Sequence, residues 1–292
     1  MGSGSFTTSS FTSYSNSRGR SVSSTGFVTN DSLTDYYTQH YIHKDMVPYN
    51  VTRECVDSEE HPNTIPVILA LDLTGSMGGA CVKTAQSLNK IMTMLYEKFT
   101  DIEFLVMGVG DLECDRAPVQ VSQFESDVRI AEHTDKLYME HGGGGNGYES
   151  YTAAWYFGLK HTKLDCWKRG KKGIIITMGD EPLNPILYKH NIRGVFGDTP
   201  EADVKTEDLY KMATEKFDIY HIAVDDPEDS YSWYDTRINS TFSPVLGNRL
   251  KVSTIERLPM TIVDCIEDSV NGGTQAETAS NVEKTESSYI TW

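Results

Sequence analysis

Three oxygen-bearing side chains at alternate positions, Asp72, Thr74 and Ser76, follow directly on the apolar run 67–71. A carboxylate and two hydroxyls spaced this way, on a loop after a buried strand, can converge on one hard cation. Such donors suit magnesium, manganese or calcium and poorly suit zinc or copper. A helix predicted to follow would turn its positive dipole end toward the same place and favour an anion beside the metal. The competing role is structural. A strand-end Asp with a nearby Thr or Ser also serves as an N-cap, taking the orphan amide hydrogens of the next helix.

Asp72-Leu73-Thr74-Gly75-Ser76 matches the Asp-x-Ser/Thr-x-Ser signature of von Willebrand factor type A domains, and residues 63–271 resemble such a domain as a whole. The resemblance implies a metal-ion-dependent adhesion site. Asp72, Thr74 and Ser76 would hold Mg2+ (or Mn2+ or Ca2+), and a Glu or Asp from a partner protein would complete the coordination. The family's second loop supplies a threonine. Counted back from Ala154, that position falls on or beside Glu149, with Ser150 and Thr152 as the alternative ligands. The third loop commonly reads Thr-Asp-Gly-Glu, whereas this chain reads Thr177-Met178-Gly179-Asp180-Glu181. Met178 takes the nominal aspartate position, so Asp180 is expected to be the metal-side carboxylate, with Glu181 the alternative. An aspartyl-phosphate mechanism of the haloacid dehalogenase type would need a second acid where Thr74 stands.

Further chemistry-bearing residues lie on the intervening loops. The segment 142–147, with Gly144 and Asn146 in it, frees the backbone to approach a ligand closely. It lacks the Lys-Ser/Thr ending of a phosphate-binding P-loop, and no strand immediately precedes it in dinucleotide-binding register. With Ser150, Asp111 and Glu181, it forms the expected partner-binding rim. A metal-assisted hydrolase is the competing class: a cation beside Glu149, Asp180 and Asp111 could activate water, with His133, His141 or His190 as base. No His-Glu-x-x-His spacing supports that base, so the chain is read as non-enzymatic.

These residues need elements to position them. Apolar runs at 65–71, 102–109 and 173–178 have the length and residue types of strands buried on both faces. Residues 119–124 alternate and suit an antiparallel edge strand, while 218–224 and 250–253 complete the set. Helical spacing is predicted over 79–99, 128–139, 151–161, 206–217, 232–242 and 258–269, and 183–203 is expected to be loop. Strands alternating with helices give an α/β fold, a doubly wound, mostly parallel sheet flanked by helices. Ligands gather at the carboxyl ends of such strands, where loops 72–76, 110–115, 142–150 and 179–181 all fall.

Composition bounds the rest. The chain has 292 residues, 38% of them apolar, and no run of 18 apolar residues able to span a bilayer. The amino-terminal stretch lacks the apolar core of a secretory signal, and the five scattered cysteines suit a reducing compartment, so a cytoplasmic location is expected. A formal charge of −16 argues against nucleic acid, and the basic stretch 168–172 reads as a solvated turn. Residues 1–26, rich in Ser, Thr and Gly, are expected to form a disordered arm, 27–62 an extended connector packing on the domain, and 272–292 a polar tail. The function that follows is metal-dependent protein binding through a captured carboxylate. A structural component of a phage or bacterial particle, its arm ordering on a neighbouring subunit in an oligomer or larger assembly, is the alternative.

Overall fold

The computed structural model describes residues 4–140, 146–225 and 237–272. Six strands form the central sheet: β1 (Ile65–Asp72), β2 (Ile102–Val109), β3 (Val119–Glu125), β4 (Gly173–Gly179), β5 (Phe217–Val224) and β6 (Leu250–Ser253). Their spatial order is β6-β5-β4-β1-β2-β3, and only β3 runs antiparallel to its neighbour. This is the doubly wound order in which the chain works outward from β1 on one side and then on the other.

Period-two alternation along the strands divides the core. Val67, Leu69 and Leu71 of β1 join Ile174, Ile176 and Met178 of β4 under the helices α2 (Gly78–Tyr96) and α8 (Leu258–Asn271). Ile68 and Ala70 point the other way, with Ile175 and Ile219, against α4 (Thr152–His161), α5 (Lys189–Phe196), α6 (Thr206–Ala213) and α7 (Asn239–Leu246). Strands buried on both faces this way read as continuous apolar runs, which is why β1, β2 and β4 were visible in the sequence.

The amino-terminal residues differ from the expected disorder. Residues Thr8–Ser17 form helix α1, opened by a capping box between Thr7 and Ser10. Phe6 and Phe11 are buried in the core cluster that also holds α2. Asp135, itself buried, fixes the arm: it accepts hydrogen bonds from Tyr14 Oη at 2.6 Å and Arg20 Nη2 at 2.8 Å. Composition misled because two phenylalanines, a tyrosine and an arginine carry the docking, while Thr7, Ser9 and Ser10 satisfy one another locally. Farther on, Tyr36, Tyr37 and Met46 are buried, and Tyr37 Oη donates to the Cys81 carbonyl of α2 at 3.1 Å.

Other expectations shift for local reasons. The helix predicted over 128–139 is only α3 (Arg129–Thr134). Beyond it the Gln120 side chain takes both backbone groups of Tyr138, at 2.8 and 2.9 Å, in place of helical partners. The predicted loop 183–203 contains α5, preceded by the short strand Ile186–Leu187. The helix predicted to reach Phe217 ends at Ala213, because Phe217 opens β5. Of the helix predicted over 232–242, residues 232–236 lie outside the described residues, and α7 begins at Asn239. The tail 273–292 also lies outside them.

The arm's docking makes a testable claim. Phe11→Ala removes a buried side chain of a kind whose truncation costs about 3–5 kcal/mol. In hydrogen exchange, the amides of α1 should lose protection while those of β1 and β4 keep theirs. Unchanged protection in α1 would show that Phe11 does not hold the arm.

Candidate functional site

The chain leaves β1 for α2 on one face of the sheet and leaves β4 for α5 and α6 on the other. The edge where β1 and β4 lie side by side is therefore the switch point of the doubly wound sheet, where ligands collect. Asp72 ends β1 there, fully buried. Its Oδ1 accepts the Thr74 amide at 2.9 Å and the Thr74 hydroxyl at 2.6 Å, so the side chain organises its own loop. Helix α2 begins at Gly78 without a side-chain cap, so neither Asp72 nor Thr74 serves as its N-cap.

Ser76 reaches across the edge and donates from Oγ to Asp180 Oδ1 at 3.1 Å, joining the first loop to the third. Met178, where the sequence resemblance would place an acid, is wholly buried in the core beneath the rim. The carboxylate accordingly arrives two residues later, as Asp180. Gly179 between them is required by packing: a Cβ there would lie 1.9 Å from Tyr151 Oη. That hydroxyl donates to Asp72 Oδ2 at 2.7 Å and accepts the Glu181 amide at 3.2 Å, tying all three loops together.

The second loop shows which side chain is left over for a ligand. Thr152 is buried and exchanges hydrogen bonds with the Asn184 side chain, at 2.6 Å from its hydroxyl and 3.3 Å from its amide. Ser150 Oγ accepts the Leu112 amide at 3.1 Å. Glu149, also buried, has its Oε2 without a hydrogen-bond partner. Asp111 Oδ1 accepts the Glu113 amide at 3.0 Å, and its Oδ2 is likewise unpartnered. Asn146 donates to Glu113 Oε2 at 3.0 Å. Gly144 and His141 lie outside the described residues.

The electrostatics are one-sided. Burial pushes Asp72 up from 3.8 to about 7, with the charge of Asp180 adding to it, while the hydrogen bonds from Thr74 and Tyr151 pull the other way. Glu149 is driven up to about 10, first by burial, then by Asp72, Asp115, Asp111 and Glu181. Asp180, Asp115 and Glu181 are raised as well, each chiefly by burial. Among the described residues the cation that approaches this group is Arg237, 3.6 Å from Glu181 and bonded to the Gly147 carbonyl at 3.0 Å. A buried charge this poorly compensated must take up either a proton or a cation.

The donor set fits the second option in kind. Asp72, Thr74, Ser76, Asp180 and Glu149 offer only oxygens, the chemistry of magnesium, manganese or calcium. No three His, Cys, Asp or Glu side chains among the described residues converge tightly enough to form an all-acid or histidine metal cage. A centre here would rest on one or two carboxylates plus hydroxyls and water.

The candidate histidines stand apart. His133 is buried beside Arg53, Arg129, Lys136 and Asp45, and burial lowers it to about 4. His190 is exposed and stacks on Tyr188 at 5.6 Å. Tyr151, Asp115 and Arg237 were not foreseen. For Tyr151 the available signal was Gly179, since a glycine at a strand end marks the close approach of another group.

No family model matches the sequence, and no curated protein matches it. Among solved structures, the fold overlaps the pilus adhesin SpaC from Lactobacillus rhamnosus GG at 10% identity and a TM-score of 0.45. It also overlaps proximal thread matrix protein 1 from the mussel byssus at 12% identity and a TM-score of 0.43. The overlap with the conserved hypothetical protein BatB from Bacteroides thetaiotaomicron is at 13% identity and a TM-score of 0.43. The matched regions cover 78%, 76% and 71% of this chain, and 33%, 46% and 99% of those chains respectively. The chain thus spans a third of the adhesin and under half of the thread protein. No helix among the described residues is long and apolar enough to cross a membrane.

The raised acids fix the direction of a pH effect. Asp72 and Glu149 both hold their protons more tightly folded than unfolded, so their contribution is complete below about 4 and is lost progressively as pH rises through about 7 and beyond. In chelator, the thermal midpoint should therefore fall between pH 5 and pH 8, and Asp72→Asn and Glu149→Gln should each lessen that fall. An equal slope in wild type and both variants would contradict the assignment.

Proposed function

We propose that the chain is a non-enzymatic protein-binding module of the von Willebrand type A kind, whose switch-point rim holds a divalent cation for capture of a partner's carboxylate. The observation that carries this reading is the buried, unpartnered Glu149 Oε2, its carboxyl raised by burial and by the acids around it. Asp72, Thr74 and Ser76 would hold the ion, magnesium being the best match. Asp180 would contribute through water from its position beside Ser76. Glu149 takes the place where the family has a threonine, bringing charge where a hydroxyl would bring none. The ion would supply a fixed positive centre for an incoming Glu or Asp.

The hydrolase reading needs a base, and among the described residues no histidine is hydrogen-bonded to an acid of this rim. The histidines paired with carboxylates are elsewhere, as in His161 with Asp198 and His61 with Asp101. The assembly reading called on a neighbouring subunit to order the amino-terminal arm, and α1 packs on its own domain instead.

Calorimetric titration with magnesium or manganese should give one site. Asp72→Ala should abolish it, and Ser76→Ala or Glu149→Gln should weaken it about tenfold or more. Binding should tighten as pH rises through about 7, because the ligands must shed protons. Partners captured in magnesium should be lost in chelator and in Asp72→Ala. A protein that binds no divalent ion, or the same partners after chelation, would refute the proposal.

A further inference from the structure

We infer that a small cavity beside this rim is the receptor for an arginine side chain of the partner; the inference rests on the protein-binding reading above. The cavity has a volume of about 200 Å3 and is lined by Asp111, Glu113, Asn146, Tyr148, Tyr188 and Asn191, among others. Pockets for small molecules run to roughly 300–1,000 Å3, so this one has the size for a single side chain.

The lining decides which one. Two acids line it, and among the described residues neither Lys nor Arg does. Asp111, which lines the space, is 1% exposed, and its Oδ2 has no hydrogen-bond partner, so an unanswered acceptor borders the space. Glu113 stands exposed at the mouth, held toward Asn146 by its Oε2. An anion would be repelled, and an apolar group would leave the Asp111 charge unanswered while drying the asparagine amides. The occupant is therefore a cation.

Tyrosines and asparagine amides line the cavity beside the acids, a lining that suits an organic cation better than a bare metal ion. Tyr148 and Tyr188, which line it, keep 38% and 37% of their surfaces open, so aromatic rings are available beside the acids. A guanidinium is planar, stacks on such rings and presents five N–H donors as a fork to carboxylate and amide oxygens. A lysine ammonium is compact and more strongly hydrated. Arginine is thus preferred over lysine, and its place is beside the ion-held carboxylate, since Asp111 lies close enough to Glu149 to raise it.

The test uses the full chain, isotope-labelled for amide spectra and titrated with acetyl-arginine amide, acetyl-lysine amide and the neutral isostere acetyl-citrulline amide. Arginine should shift the signals of Asn146, Tyr148 and Asn191 saturably, lysine should bind about threefold more weakly, and citrulline should have no effect. Tyr188→Ala and Glu113→Gln, both at exposed positions, should each weaken the arginine response about threefold. A citrulline response equal to that of arginine, or an arginine response insensitive to both variants, would overturn the inference. Arginine shifts that persist in chelator and in Asp72→Ala, with no magnesium bound, would keep the cavity while dismissing the metal. Intact magnesium binding with no arginine response would dismiss the cavity alone.

Discussion

Repulsion among carboxylates that the fold buries together governs the rim of this protein. Two like charges about 6 Å apart, at an effective dielectric near 20, oppose each other by roughly 3 kcal/mol. Here Asp72, Asp111, Asp115 and Glu181 all act on Glu149, and burial is the largest influence on Asp72, Asp115, Glu149 and Glu181. The hydrogen bonds present stabilise Asp72 without neutralising it. Arg237 touches one flank only, at Glu181. A folded chain tolerates such an arrangement when something outside the chain answers the charge. On the proposed reading, protons and a hard divalent ion would compete for that role, which would link occupancy of the rim to pH.

The sheet is what enforces the crowding. Register places Leu71 beside Met178, so β1 and β4 deliver Asp72 and the 179–181 turn to one edge. Tyr151, the residue before α4, then threads between them. Its hydroxyl bridges Asp72 and the Glu181 amide through space that only a glycine at position 179 leaves open. Three loops from distant parts of the chain are thereby locked to one phenol. Packing around Tyr151 thus preorganises this edge together with the hydrogen bonds of Asp72 and Ser76.

How much of this was legible in the sequence varies with the physics involved. Strands buried on both faces announce themselves as apolar runs, and β2 was placed to the residue. The Asp72-to-Ser76 spacing was readable because it is local. That Met178 stands where the resemblance expects an acid was readable too, whereas its burial in the core and the Ser76–Asp180 hydrogen bond needed the structure. Tyr151 and Asp115 were not legible, since their roles depend on contacts across the sheet edge. The amino-terminal arm failed for a related reason. Its composition is that of a disordered segment, yet Phe6, Phe11, Tyr14 and Arg20 find partners far away in the chain, above all Asp135. Average composition weighs every residue equally, whereas docking depends on a few.

The central claim is that a hard cation sits where the Asp72 and Asp180 loops meet, and anomalous diffraction from a manganese-soaked crystal tests it most directly. The account predicts a single strong peak within coordination distance of Ser76 Oγ and an Asp72 oxygen, with Asp180 and Glu149 turned toward it. A manganese peak elsewhere, or none at concentrations that saturate ordinary magnesium sites, would contradict it.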